Sequence, residues 1–195
     1  MLIGLLLVTA LANDVPAAAP AVAFLSAPRG TTGSVGDSVR QFPRVDGSNL
    51  EGKRFALPGD FEAEYNVVVV AFRREQQADV DAWLPFLREQ KLAERGVRVY
   101  ELPTLNRSYR MMRGFIDGGM SRGIPEKATR EATITLYIDK SPFKKALKIA
   151  SEDRIVALIV ARDGRVLWRE DGRFTPAAGA GLAAALDSLK VRSAP

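Results

Sequence analysis

The run Asn66-Val67-Val68-Val69-Val70-Ala71-Phe72 constrains the fold more than any other stretch of the chain. Four consecutive β-branched residues without polar alternation describe a strand covered on both faces, which requires a sheet with material packed on either side. Directly after it, Val80, Trp83, Leu84 and Leu87 recur at i, i+3, i+4 and i+7. That is the stripe of an amphipathic helix, expected over residues 79–96 with a kink at Pro85.

The alternation continues down the chain. Residues 97–102 alternate as a second strand, and Thr104 is placed to cap a helix with Leu105, Tyr109, Met112 and Ile116 on one face. Residues 132–138 read as a third strand, and Ser141-Pro142 as the start of a short helix reaching Ile149. Residues 154–161 and 165–170 flank Asp163-Gly164, a hairpin signal, and Thr175-Pro176 opens a last helix that buries Leu182, Leu186 and Leu189. The order β-α-β-α-β-α-β-β-α predicts an α/β protein whose mixed sheet carries helices on both faces.

Composition narrows the chemistry. The 195 residues include no Cys and no His. Thiol nucleophiles, disulfides, imidazole bases and Cys or His metal ligands are therefore excluded. Residues 1–28 contain no Lys or Arg and one acid, Asp14. The apolar run 2–11, closing on Ala10-Leu11-Ala12, has the length and small-residue end of a signal peptide and is short for a membrane span. A misplaced start or a short retained anchor are the alternatives. The expected organisation is an export segment over 1–12, a flexible linker over 13–41, one domain over 42–190 and a tail over 191–195. Export would place the chain in the periplasm or on the outer side of an inner membrane.

Two segments resemble a known fold. VVVVAFRREQQADVDAWLPFLREQ is similar to the strand, catalytic loop and proline-kinked helix of the thioredoxin-like fold, and ALIVARDGRVLWREDG resembles its last hairpin. Phe42-Pro43, with residues 47–57, resembles the N-terminal hairpin of the peroxiredoxin-like branch. Setting Phe72 and Pro85 on the family's strand phenylalanine and helix proline requires no gap. The two redox positions then fall on Gln77 and Val80, where neither side chain forms a thiolate, so disulfide exchange is impossible. The family's cis-proline should fall near Ile155 or Val156, yet no Pro lies between Pro142 and Pro176. LPTLNRSYRMMRGFIDGGMSRGIP, taken with the hairpin, resembles the Cys-less thioredoxin-like family that includes a mitochondrial ATP-synthase assembly factor. That resemblance implies a binding or chaperone role for an inner-membrane partner.

Charge is concentrated in one region. Residues 107–148 hold ten basic and four acidic side chains, a surplus of six, whereas the whole chain carries +5. Arg107, Arg110 and Arg113 recur every three residues, and Lys144, Lys145 and Lys148 are expected to face away from Phe143 and Leu147. Such a surface attracts an acidic protein or an anionic lipid headgroup, or else simply keeps the chain soluble. Nucleic acid is disfavoured, because the basic residues lack interleaved exposed aromatics in this reading and export would remove the substrate. Met111, Phe115 and Met120, with Arg107, Arg110, Arg113 and Arg122, are the candidate partner-binding residues, while Met112 and Ile116 are expected to cover the sheet. The glycines at 114, 118, 119 and 123 argue against a regular helix there.

No GxGxxG, Walker loop or GxSxG occurs, and Asp163-Gly164 and Asp171-Gly172 lack the acidic companions of a Ca²⁺ loop. No cofactor and no metal is expected. The leading expectation is a redox-inactive, non-catalytic binding or assembly factor for a membrane-associated protein. The alternative is a small-molecule-binding or hydrolytic enzyme using a cleft around Glu75 and Asp79.

Overall fold

The structure, a computed structural model, describes residues 40–189. The expected export segment, most of the linker and the tail lie outside them. Strands β1 (Val45–Asn49), β2 (Arg54–Leu57), β3 (Tyr65–Ala71), β4 (Val97–Asn106), β5 (Ile134–Ile138), β6 (Val156–Ala161) and β7 (Val166–Asp171) make one sheet in the order β2-β1-β5-β4-β3-β6-β7. The central β5, β4 and β3 are parallel, and the outer pairings are antiparallel.

β3 is buried on both faces, as its apolar run requires. Val68 and Val70 point into one core with Phe42, Phe61, Tyr100, Leu102, Leu136 and Phe143; Val67 and Val69 point into the other with Val80, Trp83, Leu87, Leu182 and Leu186. Helix α5 (Lys140–Ala146) covers the first face through Phe143. Helices α1 (Gln77–Asp81), α2 (Leu84–Glu89) and α6 (Pro176–Ser188) cover the second. Trp83, fully buried, donates from Nε1 to the Gly172 carbonyl at 3.2 Å and stands edge-on to Trp168 and Phe174. The Asp163-Gly164 turn closes the last hairpin with Gly164 at φ +94°, a backbone angle that suits Gly. Thr175 caps α6 by accepting from the Ala178 N–H.

Several local expectations are corrected. The expected helix over 79–96 is two short helices and a 3-10 turn (Leu92–Arg95), because Pro85 cannot donate in the helical ladder and instead sits in the first turn of α2. Thr104 does not cap a helix: it is buried inside β4, which runs to Asn106, and the Asn106 side chain caps the turn Arg107–Met112 by accepting from the Ser108 N–H at 3.0 Å. The glycine-rich stretch does form a helix, α3 (Arg113–Gly123). Its four glycines each cost roughly 1 kcal/mol relative to Ala. Anchors at its middle and near its end offset this, since Tyr137 donates to Asp117 at 2.8 Å and Ser121 donates to the Leu50 carbonyl at 3.0 Å. A further helix, α4 (Lys127–Ala132), carries no signal in the amphipathic pattern. Asp139, one residue before α5, is its cap; Ser141 supplies only the N–H that Asp139 accepts.

Candidate functional site

The junction between β3 and α1 is the place where the sequence puts the family's redox pair. Arg73, Arg74 and Glu75 are exposed there, and Gln76 is buried. The Gln76 carboxamide accepts from the backbone N–H groups of Phe72 and Arg73, at 2.8 and 3.2 Å, closing the turn on itself. Gln77 stands exposed at the start of α1 and donates to Asp81 at 3.0 Å, whereas Val80 is 2% exposed and belongs to the core. One degenerate position is thus surface amide and the other is packed hydrocarbon. Across the junction Arg73 pairs with Asp153 at 2.8 Å. Lys140 and Lys144 both pair with Glu152 and hold its carboxyl below the usual range, although burial works against them.

Behind α1 lies Glu101 of β4, a group the sequence pattern does not single out. Burial, reinforced by the negative charge of Asp81, pushes its carboxyl up to about 7, with the Gln77 amide opposing. Glu75 is exposed and Asp79 half-buried. Neither lines either of two clefts among the described residues, one at Glu64 and Arg162 and the other between β1, β2 and the turn 107–112.

The basic region divides into two populations. Lys127, Arg130, Lys140 and Lys144 are held in ion pairs with Glu131, Glu51 and Glu152, so they are structural. Arg113 pairs with Asp117 at 3.3 Å, and Asp117 also accepts from Tyr137, whose phenol is pushed up by burial and then by that carboxylate. Arg107, Arg110 and Arg122 are exposed, and their side chains make no ion pair or hydrogen bond among the described residues. Lys145 and Lys148 are exposed opposite the buried Phe143 and Leu147, as expected.

The apolar candidates are brought to the surface beside those arginines. Met111 is 95% and Phe115 75% exposed, and Met120 is half-buried. Met112 and Tyr109, expected on the sheet side, are exposed by half, and Ile116 is only half-buried. The reason is the break at Asn106: a 3-10 turn has three residues per turn, so the 3.6-residue stripe drawn through Leu105, Tyr109 and Met112 never forms. This also corrects the premise used against nucleic acid, because Tyr109 and Phe115 are exposed aromatics between the arginines.

The second cleft, about 750 Å³, takes in Arg107, Arg110 and Arg113 together with two arginines that the sequence pattern does not flag, Arg44 and Arg54. Only the antiparallel pairing of β1 with β2 and β5 brings the hairpin to the turn 107–112, and no local signal carries that information.

These features define a thioredoxin-like fold without thiols. Solved structures bear out the fold. BsSco, a member of the Sco family of cytochrome c oxidase assembly proteins, is similar at TM-score 0.54 and 13% identity, covering 77% of this chain and 93% of its own. The thioredoxin domain of a thiol-disulfide oxidoreductase from Bacteroides vulgatus is similar at TM-score 0.51 and 17% identity, covering 80% and 100%. A candidate electron transfer protein from Aquifex aeolicus VF5 is similar at TM-score 0.54 and 11% identity, covering 76% and 97%. No protein-family model matches the sequence, and no curated protein sequence matches it. Among the described residues no helix is long and apolar enough to cross a membrane.

Proposed function

We propose that the chain is a redox-inactive thioredoxin-like binding and assembly factor, of the Cys-less assembly-factor type, acting on a membrane-associated protein outside an inner membrane. The carrying observation is the surface formed by Tyr109, Met111, Met112 and Phe115 among the unpaired Arg107, Arg110 and Arg122. Exposed large apolar side chains in such a cluster mark an interaction site. Methionine adapts to irregular apolar surfaces, and the arginines steer an acidic partner toward it. The BsSco likeness is compatible with an assembly role and supports nothing about the partner.

Pulldown from detergent-solubilised membranes tests the reading. The parent chain is expected to retain one recurrent membrane protein, and the Met111→Ser/Phe115→Ser variant to lose it at unchanged thermal midpoint. Charge reversal of Arg107, Arg110 and Arg122 should weaken capture in the same way that added salt does. Equal capture by parent and variants would reject this surface. Insulin-reduction and peroxidase assays are expected to read as buffer.

A further inference from the structure

We propose that the cleft between the β1–β2 hairpin and the turn 107–112 binds a small organic molecule carrying a phosphate group. Pleating sends Asp46 and Ser48 of β1 to one face, and the register places Ser48 opposite Arg54 of β2 and Thr135 of β5. Gly47, between them, faces the core instead, since a Cβ there would lie 2.7 Å from both Ile134 and Leu136. Ser48 and Thr135 therefore lie on the cleft side, and both line it.

Both are 1% exposed, and neither Ser48 Oγ nor Thr135 Oγ1 has a hydrogen-bond partner. Buried hydroxyls are ordinarily satisfied, and two unsatisfied ones side by side on a cleft floor point to acceptor oxygens supplied from outside. The rim supplies the charge. The side chains of Arg44, Arg54, Arg107 and Arg110 make no ion pair or hydrogen bond among the described residues. They face three lining aspartates, Asp46, Asp60 and Asp139, a surplus of one positive charge, since Arg113 on the same rim is already paired with Asp117. Two of those aspartates are already engaged, Asp60 accepting from the Ala56 N–H at 2.6 Å and Asp139 from the Ser141 N–H. Guanidinium forks match phosphate oxygens, so a phosphate group suits the four unpaired guanidiniums of the rim. A cleft of about 750 Å³ holds a small molecule bearing that group. Arg107 and Arg110 belong to both surfaces, but Met111, Phe115 and Arg122 do not line the cleft, so Met111→Ser/Phe115→Ser tests the partner surface alone while Ser48→Ala and Thr135→Val test the cleft alone.

Calorimetric titration of the full chain with pyrophosphate and with glucose 6-phosphate tests the site, with glucose as the uncharged control. Expected is saturable one-site binding of both phosphates and none of glucose. Arg54→Gln/Arg107→Gln should weaken binding at least about tenfold. Ser48→Ala and Thr135→Val should each weaken it by about threefold or more without lowering the thermal midpoint, since no internal hydrogen bond is lost. Absence of saturable phosphate binding would overturn the proposal. So would binding that responds to the arginines but not to Ser48 or Thr135, which would signify diffuse surface charge. Sedimentation with phosphatidylglycerol vesicles is the lipid arm: vesicle binding lost in Thr135→Val, with soluble phosphates inert, would assign the cleft to a lipid headgroup and overturn the small-molecule reading.

Discussion

The side-chain amide of Gln76 donates to the carbonyl oxygen of Glu152 at 2.8 Å, tying the end of β3 to the loop before β6. Its oxygen meanwhile serves the Phe72 and Arg73 N–H groups. Gln76→Ala removes all three bonds and leaves donors at a junction where Gln76 itself is 5% exposed. A loss of about 2–3 kcal/mol is expected, read as a lower urea midpoint. Gln77→Ala, one residue on and exposed, should stay within about 0.5 kcal/mol of the parent.

Glu101 gives the fold a pH dependence of definite sign. Its folded carboxyl titrates near 7 against an ordinary 4.5, so between those values the folded state binds more protons than the unfolded one. Stability from this group is therefore full below about pH 4.5, declines as pH rises through 7, and is level above it. Glu101→Gln should raise stability at pH 8 by on the order of 1–3 kcal/mol, read as a higher thermal midpoint, and flatten the decline. Asp81→Asn should make the decline shallower. A parent profile flat between pH 5 and 8 would refute the assignment.

The two populations of basic residues should separate in stability measurements. Arg130 pairs with Glu51 at 2.6 Å and donates to the Ile124 and Pro125 carbonyls at 2.9 and 2.7 Å, fastening the α3–α4 connection to the β1–β2 turn. Arg130→Ala should cost about 1.5–3 kcal/mol in denaturant unfolding. Arg122→Ala, without such contacts, should leave stability unchanged within about 0.5 kcal/mol.

Gly47 is required by close approach. An added Cβ would press on the side chains of Ile134 and Leu136 at 2.7 Å, so Gly47→Ala should cost about 1–3 kcal/mol through overpacking. Trimming a neighbour in Gly47→Ala/Leu136→Val, which removes the Leu136 Cδ2 that the new Cβ would meet, should recover part of the loss in a thermal melt.

Much of the fold is legible in the sequence because its signals are local. The valines of β3, the Asp-Gly turn and the Thr-Pro cap of α6 each declare themselves within a few residues, and the sheet follows from their order. The region 104–132 misleads because its structure is imposed from a distance. Tyr137 and Leu50 hold a glycine-rich helix that propensity disfavours, and Asn106 interrupts the expected stripe. The exposure of Met111 and Phe115 beside the arginines is foreseeable from their spacing. The hydroxyls of Ser48 and Thr135 are not, because their place beside the arginines depends on strand register between residues 87 positions apart.

Val80 stands buried at the position where the sequence resemblance would set a redox cysteine, and the chain has no Cys anywhere. A protein so built can take no partner into a mixed disulfide and so cannot hold one covalently by that route. Whatever it grips, it holds by equilibrium contact alone. Occupancy follows concentration, salt and dissociation rate, and is indifferent to the oxidising or reducing poise of the compartment in which the two meet.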